Sequence, residues 1–263
     1  MDKIGTIVGK EWSEVFKNRL VFFTVLFLPL IFAVLPLGTI VAFNQLGSAA
    51  IEMGNSDLGG VTDLMCVGLT PDECAYVYTL NLFVLMFMIL PIAIPVTIAS
   101  YSIVGEKTTR SLEPLLATPI TTVELLLAKM IAAIVPAIGA TWLAFGIFLV
   151  GARLLAPPNV FNAFFDPMWL IAILIVAPLL TLLSTSTAVI ISSRVTDPRV
   201  AEQISVIVIL PLLLLIVGQS IGLVLIDRRI MLIIAAVVIV LDVLLFYLAV
   251  KLFQRETILT RWK

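Results

Sequence analysis

Six long apolar stretches dominate this chain and decide its structural class. A bilayer crossing needs roughly 20 predominantly apolar residues, and each stretch is long enough to cross. Of the 263 residues, 61% are hydrophobic and 13% are charged, whereas soluble domains carry about 25% charged residues. The sequence therefore predicts an all-α, polytopic membrane bundle with six transmembrane helices. The predicted spans are residues 20–43, 80–104, 125–152, 168–192, 203–226 and 230–250.

Lysine and arginine are distributed unevenly between the two sides of this predicted bundle. Six spans place both termini on one side, and the segments on that side carry 12 basic residues against 3 on the other. Cytoplasmic loops of membrane proteins are enriched in Lys and Arg, so we expect both termini in the cytoplasm and the protein in the cell membrane. The larger set is Lys3, Lys10, Lys17, Arg19, Lys107, Arg110, Arg194, Arg199, Lys251, Arg255, Arg261 and Lys263; the smaller set is Arg153, Arg228 and Arg229.

The segment between the first two spans, residues 44–79, contains five acids and neither Lys nor Arg. It is predicted to be an extracellular loop. Cys66 and Cys74 both lie in it, and an oxidising exterior favours a structural disulfide between them. Spacing alone also allows two unpaired thiols.

Residues 1–19 are predicted to form an amphipathic helix before the first span. Its apolar residues follow the i, i+3, i+4 spacing of one helical face. This pattern is typical of a helix lying in the inner membrane interface, and a helix packed on protein is the alternative. A cleaved signal peptide is disfavoured, because its apolar core would far exceed the usual 7–15 residues. The apolar face comprises Ile4, Ile7, Val8, Trp12, Val15 and Phe16.

The residue inventory restricts the chemistry available to this chain. It contains no histidine and two cysteines, which removes Ser-His and Cys-His nucleophile pairs and the common zinc sites. No Gly-x-x-x-x-Gly-Lys-[Ser/Thr] sequence is present, so the chain carries no P-loop. We therefore predict no catalytic residues, no metal site, no bound cofactor and no nucleic-acid partner.

Residues 105–124, between the second and third spans, form the most distinctive cytoplasmic segment, and we call it the coupling segment. Leu112, Leu115 and Leu116 would form a small apolar patch on a short helix. An exposed apolar patch of this kind indicates a contact surface. The surface that buries it could be the membrane surface, the protein's own bundle or a separate soluble subunit.

Two runs in and after this segment carry a family resemblance. The chain reads GEKTTRSLEPLLATP over 105–119 and ELLLAK over 124–129. With Lys10-Glu11-Trp12 and Lys17-Asn18-Arg19 before the first span, these runs resemble the type-2 ABC transporter permeases, in particular the sodium- and drug-exporter-like members. The short link at 227–229 departs from the family, in which many members place re-entrant helices there. Either those helices are absent or residues 218–229 are partly re-entrant.

The resemblance implies a fold and a mechanism. Residues 1–263 would form a single transmembrane domain like that of type V ABC exporters. Two permease subunits, identical or different, would pair in the lipid bilayer, and each would dock on a separate ABC ATPase that binds ATP and magnesium. Closure of the ATPase dimer would rock the two bundles, and Glu106 would anchor the coupling helix by pairing with a nearby base. The coupling residues implied are Glu106, Arg110, Leu112, Glu113, Leu115 and Leu116.

Asp242 is the acid that lies deep in a predicted span, and it suggests an alternative function. An ionisable group at this depth is costly unless it is satisfied, so it is a candidate functional residue. It could form an inter-helix hydrogen bond that locks the bundle, or it could lie on an ion or substrate path. On the second interpretation the chain would be an ion-coupled secondary transporter; a membrane enzyme and an assembly protein are further alternatives. The candidate partners are Ser184, Thr185, Ser186, Thr187, Gln219 and Ser220.

Overall fold

A computed structural model of the chain describes residues 3–46, 71–108, 121–221, 223–224 and 226–252. Within these ranges the secondary structure is helical, and six segments are long and apolar enough to cross a membrane. This confirms the predicted all-α polytopic bundle. The spans are Arg19–Gln45, Thr79–Thr108, Val123–Leu155, Val160–Ser192, Pro198–Ser220 and Arg228–Leu252.

Several spans are built from more than one helix. The second is interrupted between two helices at a turn, and the fourth contains a π-helical turn. The fifth contains a short 3-10 turn. The helices are Lys3–Val15, Arg19–Leu46, Pro71–Phe87, Leu90–Thr108, Thr122–Leu155, Pro158–Ala163, Pro167–Ile171, Ala172–Val176 (π), Ala177–Ser192, Pro198–Ser205, Val206–Ile209 (3-10), Leu210–Ser220 and Arg228–Leu252.

The fifth span is the largest departure from the predicted boundaries. It runs from Pro198 to Ser220 instead of 203–226, because an N-cap starts the helix before its apolar run begins. The Asp197 side chain accepts a hydrogen bond from the backbone N–H of Arg199, and proline occupies the first turn, where its missing N–H costs nothing. At the other end, the N–H groups of Leu223 and Val224 donate to the Gly218 carbonyl and close the helix.

Two other predicted boundaries also change. The predicted outside loop, 44–79, is helical at both ends, since one helix continues to Leu46 and the next begins at Pro71. The fourth span starts earlier than residue 168, because the short helix Pro158–Ala163 precedes it.

Two of the prolines inside the spans free carbonyl groups that side chains on other helices satisfy. Proline has no N–H to donate to the carbonyl four residues earlier. Pro136 thereby frees the Ala132 carbonyl, which accepts from Trp12 Nε1 at 3.0 Å. Pro95 frees the Pro91 carbonyl, which accepts from Ser184 Oγ at 3.1 Å.

The same compensation occurs at the π-helical turn of the fourth span. There the Ala177 N–H donates to the Ala172 carbonyl five residues earlier. In the same register, the Ile173 carbonyl would accept from the N–H of Pro178, but proline has no N–H. The Ile173 carbonyl instead accepts from Trp142 Nε1 of the third span at 3.1 Å.

The second and fourth spans form the centre of the bundle. Their most apolar windows are 72% and 61% buried within the chain, whereas those of the first, fifth and sixth spans are 22%, 17% and 22% buried. The second and fourth spans pack directly on each other. The three outer spans leave most of their apolar surface available to lipid or to another protein.

An aromatic cluster closes one end of the bundle. The buried Trp169 ring lies 5.8 Å from the rings of Phe145 and Phe148 and 5.3 Å from the ring of Phe164. Its Nε1 donates to Asn81 Oδ1 at 3.0 Å. Trp169 therefore joins the second, third and fourth spans.

Replacing Trp169 with alanine is expected to destabilise the bundle by about 3–5 kcal/mol, because a large buried ring leaves a cavity that its neighbours fill only in part. Thermal unfolding in detergent measures the loss. Phe23→Ala is the control and should cost less, since that side chain is 53% exposed on the first span. Equal losses for the two variants would show that the cluster is not a packing centre.

Candidate functional site

The N-terminal helix packs on the first turns of the third span. Ile7 and Val8 are buried in one cluster with Leu125, Ala128 and Ala132. Ile7 and Val8 therefore lie on protein, whereas Trp12 on the same face is 36% exposed. The position of this helix in the membrane interface stays a prediction.

A buried charge cluster joins this helix to the second and third spans. Lys129 Nζ lies 2.7 Å from Glu11 Oε1 and 2.7 Å from Glu106 Oε2. It also donates to Ser102 Oγ at 3.1 Å, so three oxygen atoms surround the ammonium group. Ser102 Oγ in turn donates to Glu11 Oε2 at 2.5 Å. We call these four residues, together with Lys10, the charge cluster.

The charge cluster is balanced, which makes its burial possible. Lys10 Nζ lies 3.1 Å from Glu106 Oε1, so two ammonium groups face two carboxylates. Partial burial opposes the charge of Lys10, but the hydrogen bond and the negative charge of Glu106 outweigh this and raise the pKa of Lys10 above its ordinary value. The Lys129 and Glu11 side chains are 1% and 2% exposed. A buried charge without its partner would be strongly destabilising.

Further polar contacts join the C-terminal half of the second span to the fourth and fifth spans. Lys107 Nζ donates to the carbonyl groups of Ser193 and Val195 at 3.3 and 3.1 Å, where a cation complements the helix C-terminus. Thr97 Oγ1 donates to Glu202 Oε1 at 2.5 Å. The helix that leads into the coupling segment is therefore bonded to the N-terminal helix and to three other spans.

Two helix ends lie within the coupling segment. The last helix of the second span ends at Thr108, and the helix of the third span begins at Thr122 after a capping box between Thr121 and Glu124. Glu106 lies within the described part and in the charge cluster. The other predicted coupling residues lie outside the described residues: Arg110, Leu112, Glu113, Leu115 and Leu116.

Two of the polar residues predicted around Asp242 form hydrogen bonds elsewhere. Ser184 donates to Pro91 on the second span, and Thr187 Oγ1 donates to the Leu183 carbonyl of its own helix. Gln219 is buried near the end of the fifth span. Asp242 is 3% exposed on the sixth span. Separately, Cys66 and the side chain of Cys74 lie outside the described residues.

Sequence reasoning did not select Glu11, Ser102 and Lys129 as site residues, although two of them carried a signal. Glu11 lies four residues from both Ile7 and Val15, in the middle of the apolar face, and Lys129 lies inside an apolar span. A charge in such a position requires a partner. The sequence does not show which partner, because 118 residues separate Lys129 from Glu11.

The three contributing segments are the ones that carry the family resemblance, and a direct comparison now tests it. The sequence profile of the family described as ABC-2 family transporter protein matches residues 5–228. The chain belongs to the ABC-2 transporter family. The comparison with curated proteins gave no match.

Membership in the ABC-2 family establishes the general role of the chain. This chain is a multi-pass transport protein of the permease type, and permeases of the family generally partner with an ABC ATPase. The matched range includes the whole charge cluster and the coupling segment, whereas Asp242 lies beyond it.

Proposed function

We propose that this ABC-2 chain is the membrane subunit of an ATP-driven exporter, in which two permease subunits, identical or different, pair and each binds a separate ATPase through the coupling segment. The observation that supports this most directly is the charge cluster. It lies where the second span leads into the coupling segment, and Lys129 lies two turns into the helix that follows that segment. The cluster thus bonds both flanks of the coupling segment to each other and to the N-terminal helix.

This arrangement suits the transmission of force from a docked ATPase. A push on a short cytoplasmic helix moves a bundle only if the helix ends are fixed to the spans. Two charged contacts of 2.7 Å at Lys129 hold the flanks of the coupling segment together. Charge-assisted hydrogen bonds are about twice as strong as neutral ones. The contacts of Lys107 and Thr97 extend the same unit to the fourth and fifth spans. We expect these helices to move as one body.

Pairing is supported by the exposed outer spans, and export is what the resemblance to the sodium- and drug-exporter-like permeases implies. The window of the fifth span is 17% buried within one copy, which leaves an apolar face for a second copy and for lipid. The ATP and magnesium needed for transport would be bound by the ATPase subunit.

Purification from the native membrane tests the proposal. The tagged chain is extracted in mild detergent, and the co-purifying proteins are identified by mass spectrometry. A stoichiometric soluble protein with Walker A and B motifs supports the proposed complex. Repeated elution without any such ATPase, even after crosslinking, contradicts it.

The proposed orientation, with both termini in the cytoplasm, has its own test. In a chain whose two native cysteines are replaced by serine, a cysteine at Ser56 should react with an impermeant thiol reagent in intact cells. A cysteine at Thr109 should react only after the cells are opened. The reasons are the acidic composition of residues 44–79 and the basic residues of the coupling segment, since basic loops stay in the cytoplasm. The reverse pattern would overturn the topology.

An ion-coupled secondary transporter is the second candidate, and the burial of Asp242 is the observation that favours it. The two carboxylate oxygens of Asp242 make no hydrogen bond within the described part of the chain. This candidate predicts transport that continues without an ATPase and stops on Asp242→Asn. The ATPase-driven candidate predicts that transport requires nucleotide hydrolysis.

A further inference from the structure

A polar cavity of about 450 Å³ lies at the end of the bundle away from the charge cluster. It is bounded by the first turns of the second and sixth spans and by the helix that begins at Pro167, whereas the charge cluster lies near the other end of the second span. Residues of both charges face this cavity in equal number. Its polar lining comprises Asn81, Asp166, Asp227, Arg228 and Arg229.

The charged groups of this cavity are available to a ligand. Within the described part of the chain, neither Arg228 nor Arg229 forms an ion pair. Asp166 and Asp227 each use one carboxylate oxygen to accept a backbone N–H two or three residues further on, at 2.8 and 2.9 Å. Each aspartate keeps its second oxygen as an acceptor. One cavity therefore offers both guanidinium donors and carboxylate acceptors.

An apolar cleft of about 250 Å³ lies one helical turn deeper in the bundle than the cavity. It is lined by the second, fourth, fifth and sixth spans. Leu85 of the cleft follows Asn81 of the cavity by one turn, and Met231 of the cleft follows Arg228 by one turn. Residues three or four apart on a helix share a face. The cavity and the cleft therefore follow the same faces of the second and sixth spans.

The cleft has the depth of one membrane leaflet and is open to lipid. Its lining on the sixth span runs from Met231 to Leu241, which is about 15 Å at 1.5 Å per residue. One leaflet contributes about half of the ~30 Å hydrocarbon core. Ile233 and Val237 in this lining are 61% and 53% exposed, so an acyl chain can enter beside the sixth span.

From this arrangement we propose that the cavity and the cleft together bind one zwitterionic phospholipid, phosphatidylethanolamine, with its headgroup in the cavity and one acyl chain between the fifth and sixth spans. Arg228 and Arg229 bind the phosphate through paired N–H donors. The ammonium group of the lipid donates to the remaining carboxylate oxygens of Asp166 and Asp227. The balanced charge of the cavity thus matches a headgroup that carries both charges. The site lies away from the coupling segment and does not depend on an ATPase.

Photo-crosslinking with phosphatidylethanolamine that carries a diazirine in one acyl chain tests this site. The full chain in a non-ionic detergent is irradiated at increasing lipid concentrations, and mass spectrometry locates the crosslinks. We expect crosslinks that saturate and that map to the residues lining the cleft. Unlabelled phosphatidylethanolamine should compete. Diacylglycerol lacks the phosphate and phosphatidylglycerol lacks the ammonium group, so each should compete about tenfold less well.

Matched variants test the headgroup contact and the cleft separately. The double variant Arg228→Gln and Arg229→Gln should raise the lipid concentration for half-maximal crosslinking at least about tenfold. Arg153→Gln should not, because Arg153 lies outside the cavity lining. Val237→Trp should fill the cleft and block crosslinking, whereas Val240→Trp, on the exposed face of the same helix and outside the cleft, should not. The elution profile of each variant reports its fold.

Several results would overturn the proposal. Crosslinks that scatter over the outer faces of the spans without saturation would show lipid that merely surrounds the bundle. Equal competition by diacylglycerol or by phosphatidylglycerol would show that the cavity does not recognise the headgroup. A dimer fraction in which the cleft crosslinks to a second copy and excludes the lipid would show that the cleft is a protein interface.

Discussion

Lys129→Met will give a chain that is about 3–5 kcal/mol less stable than the parent, because the substitution leaves two buried carboxylates without their shared cation. Glu11 and Glu106 both lie 2.7 Å from Lys129 Nζ. Water does not reach them readily, since their side chains are 2% and 5% exposed. We expect a low yield in detergent and a large fall in the melting temperature.

Two further variants isolate the cause. Lys251→Met removes a cation from the exposed last turn of the sixth span and should change stability by less than about 0.5 kcal/mol. A triple variant, Glu11→Gln, Glu106→Gln and Lys129→Met, removes the buried charges together and should recover much of the loss. If Lys129→Met is as stable as Lys251→Met, the charge cluster does not hold these helices together.

Replacing Leu115 and Leu116 with aspartate is expected to release the ATPase while leaving the bundle folded. The sequence predicts that these leucines belong to an apolar patch that the ATPase covers. Two charges at the centre of such a contact would weaken binding by several kcal/mol, because aspartate loses its hydration without gaining a partner. Co-purified ATPase and nucleotide-driven transport both report the effect, and the elution profile of the membrane subunit reports its fold.

The conservative double variant with methionine at both positions is the control, since volume-conserving apolar exchanges usually cost little. It should keep the ATPase bound. An aspartate variant that still binds a full equivalent of ATPase would show that the contact lies elsewhere on the cytoplasmic surface.

The class of fold could be predicted from the sequence because hydropathy acts locally. Each span can be identified from the hydropathy of its own residues. The charge of the flanking segments predicts the side of the membrane on which they lie. The ends of the spans are harder to predict from the sequence where a capping residue starts a helix before its apolar run. Asp197 and Pro198 start the fifth span before its apolar run, and the π-helical turn at Ala172–Val176 has no counterpart in the apolar pattern.

The charge cluster could be predicted only in part, because it depends on tertiary contacts. Glu106 was expected to find a basic partner, but the sequence does not distinguish among the available cations. The structure supplies Lys129 and Lys10, which are far apart along the chain. The hydrogen bond from Ser184 to the Pro91 carbonyl could not be predicted either, because that carbonyl is freed by a proline on another span.

Photo-crosslinking from position 115 in the native membrane is the most direct measurement of the central claim, that the coupling segment binds a separate ATPase. A photoreactive amino acid replaces Leu115 in one chain and Leu143 in another. Leu143 is 61% exposed on the third span and should meet lipid or protein within the membrane. The account predicts that position 115 crosslinks to a soluble protein with Walker motifs and that position 143 does not. Crosslinks from position 115 only to lipid or to the same chain, with efficient photolysis, would contradict it.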